Sequence, residues 1–99
     1  MAETKKFHEI HPGFVLKEEL KARGLSAAAF ALRLRVPPQR IQEIVAGKRA
    51  ITPDTALRLG KVFATSPEFW MNLQTTFDLT ARSQAMKDEI AAIEEMRAA

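Results

Sequence analysis

The stretch Val36–Thr52, VPPQRIQEIVAGKRAIT, places two prolines ahead of a short amphipathic run and Gly-Lys-Arg behind it. A residue that precedes proline is pushed out of the α region. Pro37 is therefore expected outside a helix and Pro38 at its first position, where the missing N–H costs nothing. Gly47 marks the other end. The run Pro38–Ala46 reads as one helix with a fixed start. At about 100° per residue, with Gln39 at zero, Ile41, Ile44 and Val45 fall between roughly 140° and 240°, while Gln39, Gln42, Glu43 and Ala46 cluster near zero and Arg40 lies on the flank. One side is core. The other shows amide, carboxylate and guanidinium groups on a helix too short to persist alone, so neighbouring elements must hold it.

The same punctuation extends in both directions, with apolar residues spaced three and four apart between breaks. His11-Pro12-Gly13 opens a first helix that buries Leu16, Leu20 and either Phe14 or Val15 and ends at Arg23-Gly24, with Gly24 just past its last turn. Ser26 is a good N-cap for a second helix that buries Phe30, Ala31 and Leu34 and stops before Pro37. Thr52-Pro53 starts a fourth helix, Asp54 to Ala64, with Leu57 and either Val62 or Phe63 inward and Asp54 favourable at its positive end. Ser66-Pro67 starts a fifth, along which Phe69, Trp70, Leu73 and Phe77 form an apolar stripe. A last segment, from about Ser83 to residue 97, sets Met86, Ile90, Ile93 and Met96 on one side and Asp88, Glu89, Glu94 and Glu95 elsewhere, a sixth helix. Strand signals are missing: no alternating β-branched run and no Asn-Gly hairpin turn. The expected fold is all-α, a five-to-six-helix bundle in a single domain over 1–99 with its core at about 11–81.

Ninety-nine residues with 46% apolar content suit one domain able to bury a sizeable core. The formal net charge is +3, but its distribution says more. Residues 1–61 hold twelve cations and six anions, net +6, and residues 62–99 hold three and six, net −3. A basic first part points to an anionic partner. There is no cysteine, hence no disulfide framework and no Cys-based zinc site, which fits a reducing compartment. The opening MAETKKFHEI lacks the apolar stretch of a signal peptide, and no run approaches the roughly 18 apolar residues of a membrane span. A soluble cytoplasmic protein with no membrane partner is expected.

A short helix carried by the one before it through a tight turn at Arg35-Val36 is a helix-turn-helix, whose second helix enters the major groove. Base edges there reward bidentate partners: Gln for adenine, Arg for guanine, Glu for the cytosine amino group. Gln39, Arg40 and Glu43 are the candidates. Lys48 and Arg49 follow Gly47 immediately and are placed to hold phosphates and fix the helix in register. Over residues 33–49, five cations stand against one anion. A solvated polar face is the plain alternative, and Glu43 leans that way, because a carboxylate in the groove is repelled by phosphates unless it meets a cytosine.

In order along the chain, IHPGFVLKEEL, SAAAFA, VPPQRIQEIVAGKRAIT, TALRL and SPEFWMNLQTTFDL resemble the HigA-type antitoxins of type II toxin–antitoxin systems. These form a branch of the xenobiotic-response-element and phage-repressor helix-turn-helix superfamily, and the likeness covers about residues 8–80. It implies a small homodimer that binds operator DNA, represses its own operon and neutralises a HigB-like toxin, a ribosome-dependent mRNA endonuclease of the RelE superfamily. Carried over by position, Pro38, Gln39, Arg40 and Glu43 match base-facing residues, and Lys48 and Arg49 match phosphate-facing ones. The chain departs from the pattern in three places. The frequent HPGE is HPGF here, with Phe14 for an acid. A Gln that often starts the second helix and bonds phosphate is Ala27, which leaves Ser26 and the helix N–H groups for that contact. A turn position often held by Gly is Arg35, which then needs a positive φ at some cost. An orphan regulator of the same superfamily, without a toxin, is the alternative reading.

The remaining motifs are weak as chemistry. His8 and His11 lie three apart but lack a ligand set beyond Glu9, so metal binding is not expected and His11 reads as a cap for the first helix. Glu18-Glu19 and Glu94-Glu95 point about 100° apart on a helix and make no catalytic dyad. No Ser-His-Asp set or phosphate-cradling Gly loop is visible, and the chain reads as no enzyme, with no cofactor and no small-molecule substrate. Trp70 could anchor a partner, but Leu73 and Phe77 on the same side favour core packing. Met86, Ile90 and Ile93 either fold back on the domain or pair with a second subunit or the toxin, and an acidic terminal helix suits a basic partner.

Overall fold

The computed structural model describes residues 10–96, which form α1 (Pro12–Ala22), α2 (Ala27–Leu34), α3 (Pro38–Val45), α4 (Pro53–Phe63), α5 (Pro67–Ala85) and α6 (Lys87–Ala92). Among the described residues there is no strand, and the fold is all-α. Proline sets the helix starts. Pro12, Pro38, Pro53 and Pro67 each stand in a first turn, and the residues before them, His11, Pro37, Thr52 and Ser66, are extended N-caps, with Pro37 at φ −60° and ψ 141°. Three further caps are hydroxyls: Ser26 Oγ accepts from Ala29 N at 3.1 Å, Thr52 Oγ1 from Thr55 N at 3.5 Å and Ser66 Oγ from Phe69 N at 3.2 Å. His11 caps α1 as expected, its Nδ1 accepting from Gly13 N at 2.9 Å.

The ends of α1 to α4 share one device. At Gly24, Arg35, Gly47 and Ala64 the backbone turns left-handed, with φ of 64°, 60°, 75° and 54°. In each case the N–H of that residue and of the next fold back onto carbonyls of the last turn. Glycine takes this conformation without penalty at two of the four ends. Arg35 takes it at the cost expected for a residue with a Cβ.

Helix α2 packs mainly on α3, α1 lies against α3 and α5, and α4 spans α2 and α5. Between them are Leu16, Leu20, Phe30, Ala31, Leu34, Ile41, Ile44, Ile51, Leu59, Trp70 and Leu73, all buried. Phe63 stacks between Phe30 and Trp70, with ring centroids 5.4 and 5.8 Å away. Trp70 is only 2% exposed, so it is a core residue and not a surface anchor.

Two core assignments, Leu57 and Phe69, differ from the sequence reading, and the choice between Phe14 and Val15 is resolved in favour of Val15. Leu57 is 61% exposed: the inward face of α4 runs through Thr55, Ala56, Leu59 and Gly60, and Leu57 lies about 100° past Ala56 on the solvent side. Val15 is half-buried while Phe14 is exposed, and Phe69 lies edge-on to Trp70 at 5.2 Å at the rim of the core. The C-terminal helix is also shorter than expected. Helix α5 continues through Ser83 to Ala85, Met86 breaks it at φ −107°, and α6 spans six residues. Ile90, Ile93 and Met96 are exposed, so this segment does not bury them against the core. No helix among the described residues is long and apolar enough to cross a membrane.

Candidate nucleic-acid interface

The geometry of α3 begins with Gly13. A Cβ there would sit 1.7 Å from the backbone oxygen of Ile44, so α1 and α3 touch backbone to backbone. Ile41 and Ile44 are fully buried, and Ala31, also fully buried, is the small residue on α2 where the two helices of the motif meet. The turn between them closes with Val36 N donating to Ala31 O at 3.1 Å. With one side committed to packing on α1 and α2, α3 shows its other side to solvent.

On that side Pro38, Gln39, Gln42 and Ala46 are exposed, and Arg40 and Glu43 are half-buried. The side chains are not independent. Gln39 Nε2 donates to Glu43 Oε2 at 2.9 Å, and Glu43 Oε1 receives Arg49 Nε at 3.0 Å. Amide, carboxylate and guanidinium thus form one line across the helix and into the following loop. Lys48 is exposed beside it. Ser26 lies at the start of α2 with its oxygen occupied by the cap, which leaves its hydroxyl proton to donate outward. The structure therefore brings Gln39, Glu43 and Arg49 into contact. It keeps Arg40 on a separate path.

That path contains two residues the sequence reading did not single out for the site. Arg40 Nη1 meets Asp54 Oδ2 at 2.6 Å, and Arg58 Nε meets the same oxygen at 3.0 Å. Arg58 Nη1 also donates to Leu34 O at 2.8 Å, at the end of α2. Hydrogen bonds from Arg58 and then Arg40 hold the Asp54 carboxyl below the usual carboxylate range. The Asp54/Arg58 pair at i,i+4 is visible in the sequence, but that Arg40 joins it depends on how α4 is placed. A third addition is Gln74. Its side chain is buried on the apolar stripe of α5, and its Oε1 accepts from Ile51 N at 2.7 Å. This bond fixes the loop that carries Lys48 and Arg49. A polar residue four after Trp70 on that stripe was the available signal.

Among the described residues no group of three or more His, Asp or Glu side chains could hold a metal ion, and His8 and Glu9 lie outside the described residues. The arrangement is one of display and charge. The Glu43–Arg49 pair is partly open to solvent, at 31% and 46% exposure, and contributes about 0–1 kcal/mol to the free protein, so a stronger anion can replace the carboxylate at little cost.

Comparison with known proteins agrees with this geometry. The helix-turn-helix family model matches residues 16–70. The virulence-associated protein I of Dichelobacter nodosus is 53% identical over 76 residues, 76% of this chain and 70% of that protein. A HigA-family addiction module antidote protein from Coxiella burnetii superimposes with a TM-score of 0.85 at 41% identity, covering 89% of this chain and 98% of its own. The Pseudomonas aeruginosa antitoxin HigA, solved with the higBA promoter, does so with a TM-score of 0.86 at 40% identity, covering 90% and 99%. The chain belongs to the helix-turn-helix family, in the group of the HigA-type antitoxins.

Proposed function

We propose that this chain is an antitoxin and transcriptional autorepressor of the cytoplasm. As a homodimer it sets two copies of α3 in successive major grooves of a palindromic operator, about 34–36 Å apart. It also binds and neutralises a HigB-like mRNA endonuclease. The observation that carries the DNA half is the solvent-facing side of α3, held from behind by Gly13, Ala31 and the buried isoleucines and followed directly by Lys48 and Arg49. The Pseudomonas relative solved with promoter DNA supports the same reading.

In this role Gln39 pairs with adenine, Arg40 with guanine, and Glu43 accepts from cytosine, while Pro38 offers an apolar contact in the first turn. Lys48, Arg49 and the Ser26 hydroxyl hold phosphates. For the toxin half, the support is the likeness to antidote proteins together with the free α6 segment. There, exposed Ile90 and Ile93 stand among Asp88, Glu89, Glu94 and Glu95, a surface suited to a basic RNA-cleaving enzyme.

Two measurements test the proposal. A mobility shift with the DNA upstream of the chain's own reading frame should show a specific dimer complex. Co-expression with a short, basic, adjacent reading frame should yield a co-purifying complex and relieve growth arrest. Specific DNA binding without any such neighbour would leave an orphan regulator and reject the toxin half. Absence of both would reject the whole.

A further inference from the structure

Asp54 stands at the junction of three elements. Its carboxylate joins Arg40 of α3 to Arg58 of α4, and Arg58 reaches the Leu34 carbonyl at the left-handed turn between α2 and α3. Arg58 Nη2 lies 3.5 Å from the second carboxylate oxygen, so the fork of one guanidinium spans both Oδ atoms while Arg40 takes only Oδ2. Arg40 and Glu43 are the candidate base readers whose side chains are more covered than open, at 27% and 31% exposure, and of the two only Arg40 is held by a residue of another helix. Left alone, an arginine on a helix flank samples many rotamers, and holding one orientation costs entropy when it binds.

We propose that Asp54 is a specificity-determining positioning residue. It fixes the Arg40 guanidinium against α4 so that its remaining N–H groups meet one base pair in a set register, and Arg58 anchors the carboxylate to the helix-turn-helix turn. This rests on the reading above that α3 enters the major groove with Arg40 as a base contact. Asp54 itself touches no base. Its negative charge opposes phosphates, so its presence lowers general affinity while raising discrimination. That combination separates it from Lys48 and Arg49, whose charges favour every sequence alike.

The experiment measures binding of the full chain, by fluorescence anisotropy, to its own upstream DNA, to a scrambled duplex of equal length and to a series with each half-site base pair substituted. Variants are Asp54→Asn, Asp54→Glu, Arg40→Ala and Arg40→Ala combined with Asp54→Asn. Because Asp54 is exposed, circular dichroism and melting should be close to wild type for all of them. Asp54→Asn is expected to bind scrambled DNA more tightly and to lose about tenfold in operator preference, concentrated at the one base pair that Arg40→Ala also relaxes. Asp54→Glu should restore part of that preference. In the Arg40→Ala background Asp54→Asn should leave the preference unchanged. Full discrimination in Asp54→Asn, or an equal loss with and without Arg40, overturns the proposal while leaving the DNA-binding reading intact. Wild-type discrimination in Arg40→Ala overturns the base-contact reading and the proposal with it.

Discussion

Gly13 of α1 faces the carbonyl oxygen of Ile44 in α3 so closely that a Cβ would lie 1.7 Å from it. The contact is backbone on backbone, with no flexible side chain to give way. Gly13→Ala must therefore separate the two helices, at a cost of about 3 kcal/mol or more. In a domain of this size that lowers the melting midpoint by more than about 10 °C. Thermal unfolding followed by circular dichroism checks it.

Ala64 and Arg35 carry the opposite signature. Both hold positive φ, at 54° and 60°, where a Cβ is penalised and glycine is not. Ala64→Gly and Arg35→Gly should each stabilise the fold by roughly 0.5–1 kcal/mol, the relief of strain exceeding the added freedom of the unfolded chain. Urea unfolding midpoints would show this as a rise in both variants.

The buried bond from Ile51 N to Gln74 Oε1, at 2.7 Å, ties the loop after α3 to α5. Gln74→Leu keeps the volume but leaves the Ile51 N–H without its partner, and should cost about 1–3 kcal/mol. The Lys48–Arg49 segment should also exchange its amide hydrogens faster. Hydrogen exchange read by mass spectrometry distinguishes this local loosening from a uniform loss of stability.

His11 gives the fold a pH dependence. Burial holds its pKa below the ordinary value, an effect partly offset by the charge of Asp78. The unfolded chain then takes up the proton more readily than the folded one, so stability is whole above the unfolded value near 6.5 and declines as pH falls through it toward the lowered folded value. Protonation at Nδ1 would also remove the acceptor that caps Gly13. His11→Asn, which caps without titrating, should flatten the wild-type decline in urea midpoint between pH 7.5 and 5.5.

Much of this was legible in the residues. Prolines at 12, 38, 53 and 67 fixed where helices begin, because their rings are compatible with a first turn and little else. The buried side of α3 followed from its periodicity, and the αL turn at Arg35 from a family pattern that places glycine there. Leu57 was misplaced because residues adjacent in α4 differ by about 100° and alanine and glycine, which carry little hydrophobic signal, mark its true inner face. The Arg40–Asp54 contact spans fourteen residues and two helices, so no local pattern encodes it. The free α6 segment could not be decided from the chain, since an apolar stripe reads alike whether it meets its own core or another surface.

The central claim is that the outward side of α3 reads DNA while the cations behind it hold the backbone, and one titration series addresses it. Affinity for the chain's own upstream DNA and for scrambled DNA would be measured from 50 to 300 mM salt, a range of about that width being needed to define the slope. Wild type is expected to prefer its own DNA by about 10³-fold or more. Gln39→Ala with Arg40→Ala should erase most of that preference and keep the salt slope, whereas Lys48→Ala should keep the preference and lower the slope by about one unit. A Gln39/Arg40 double variant that still prefers its own DNA as wild type does would contradict the account.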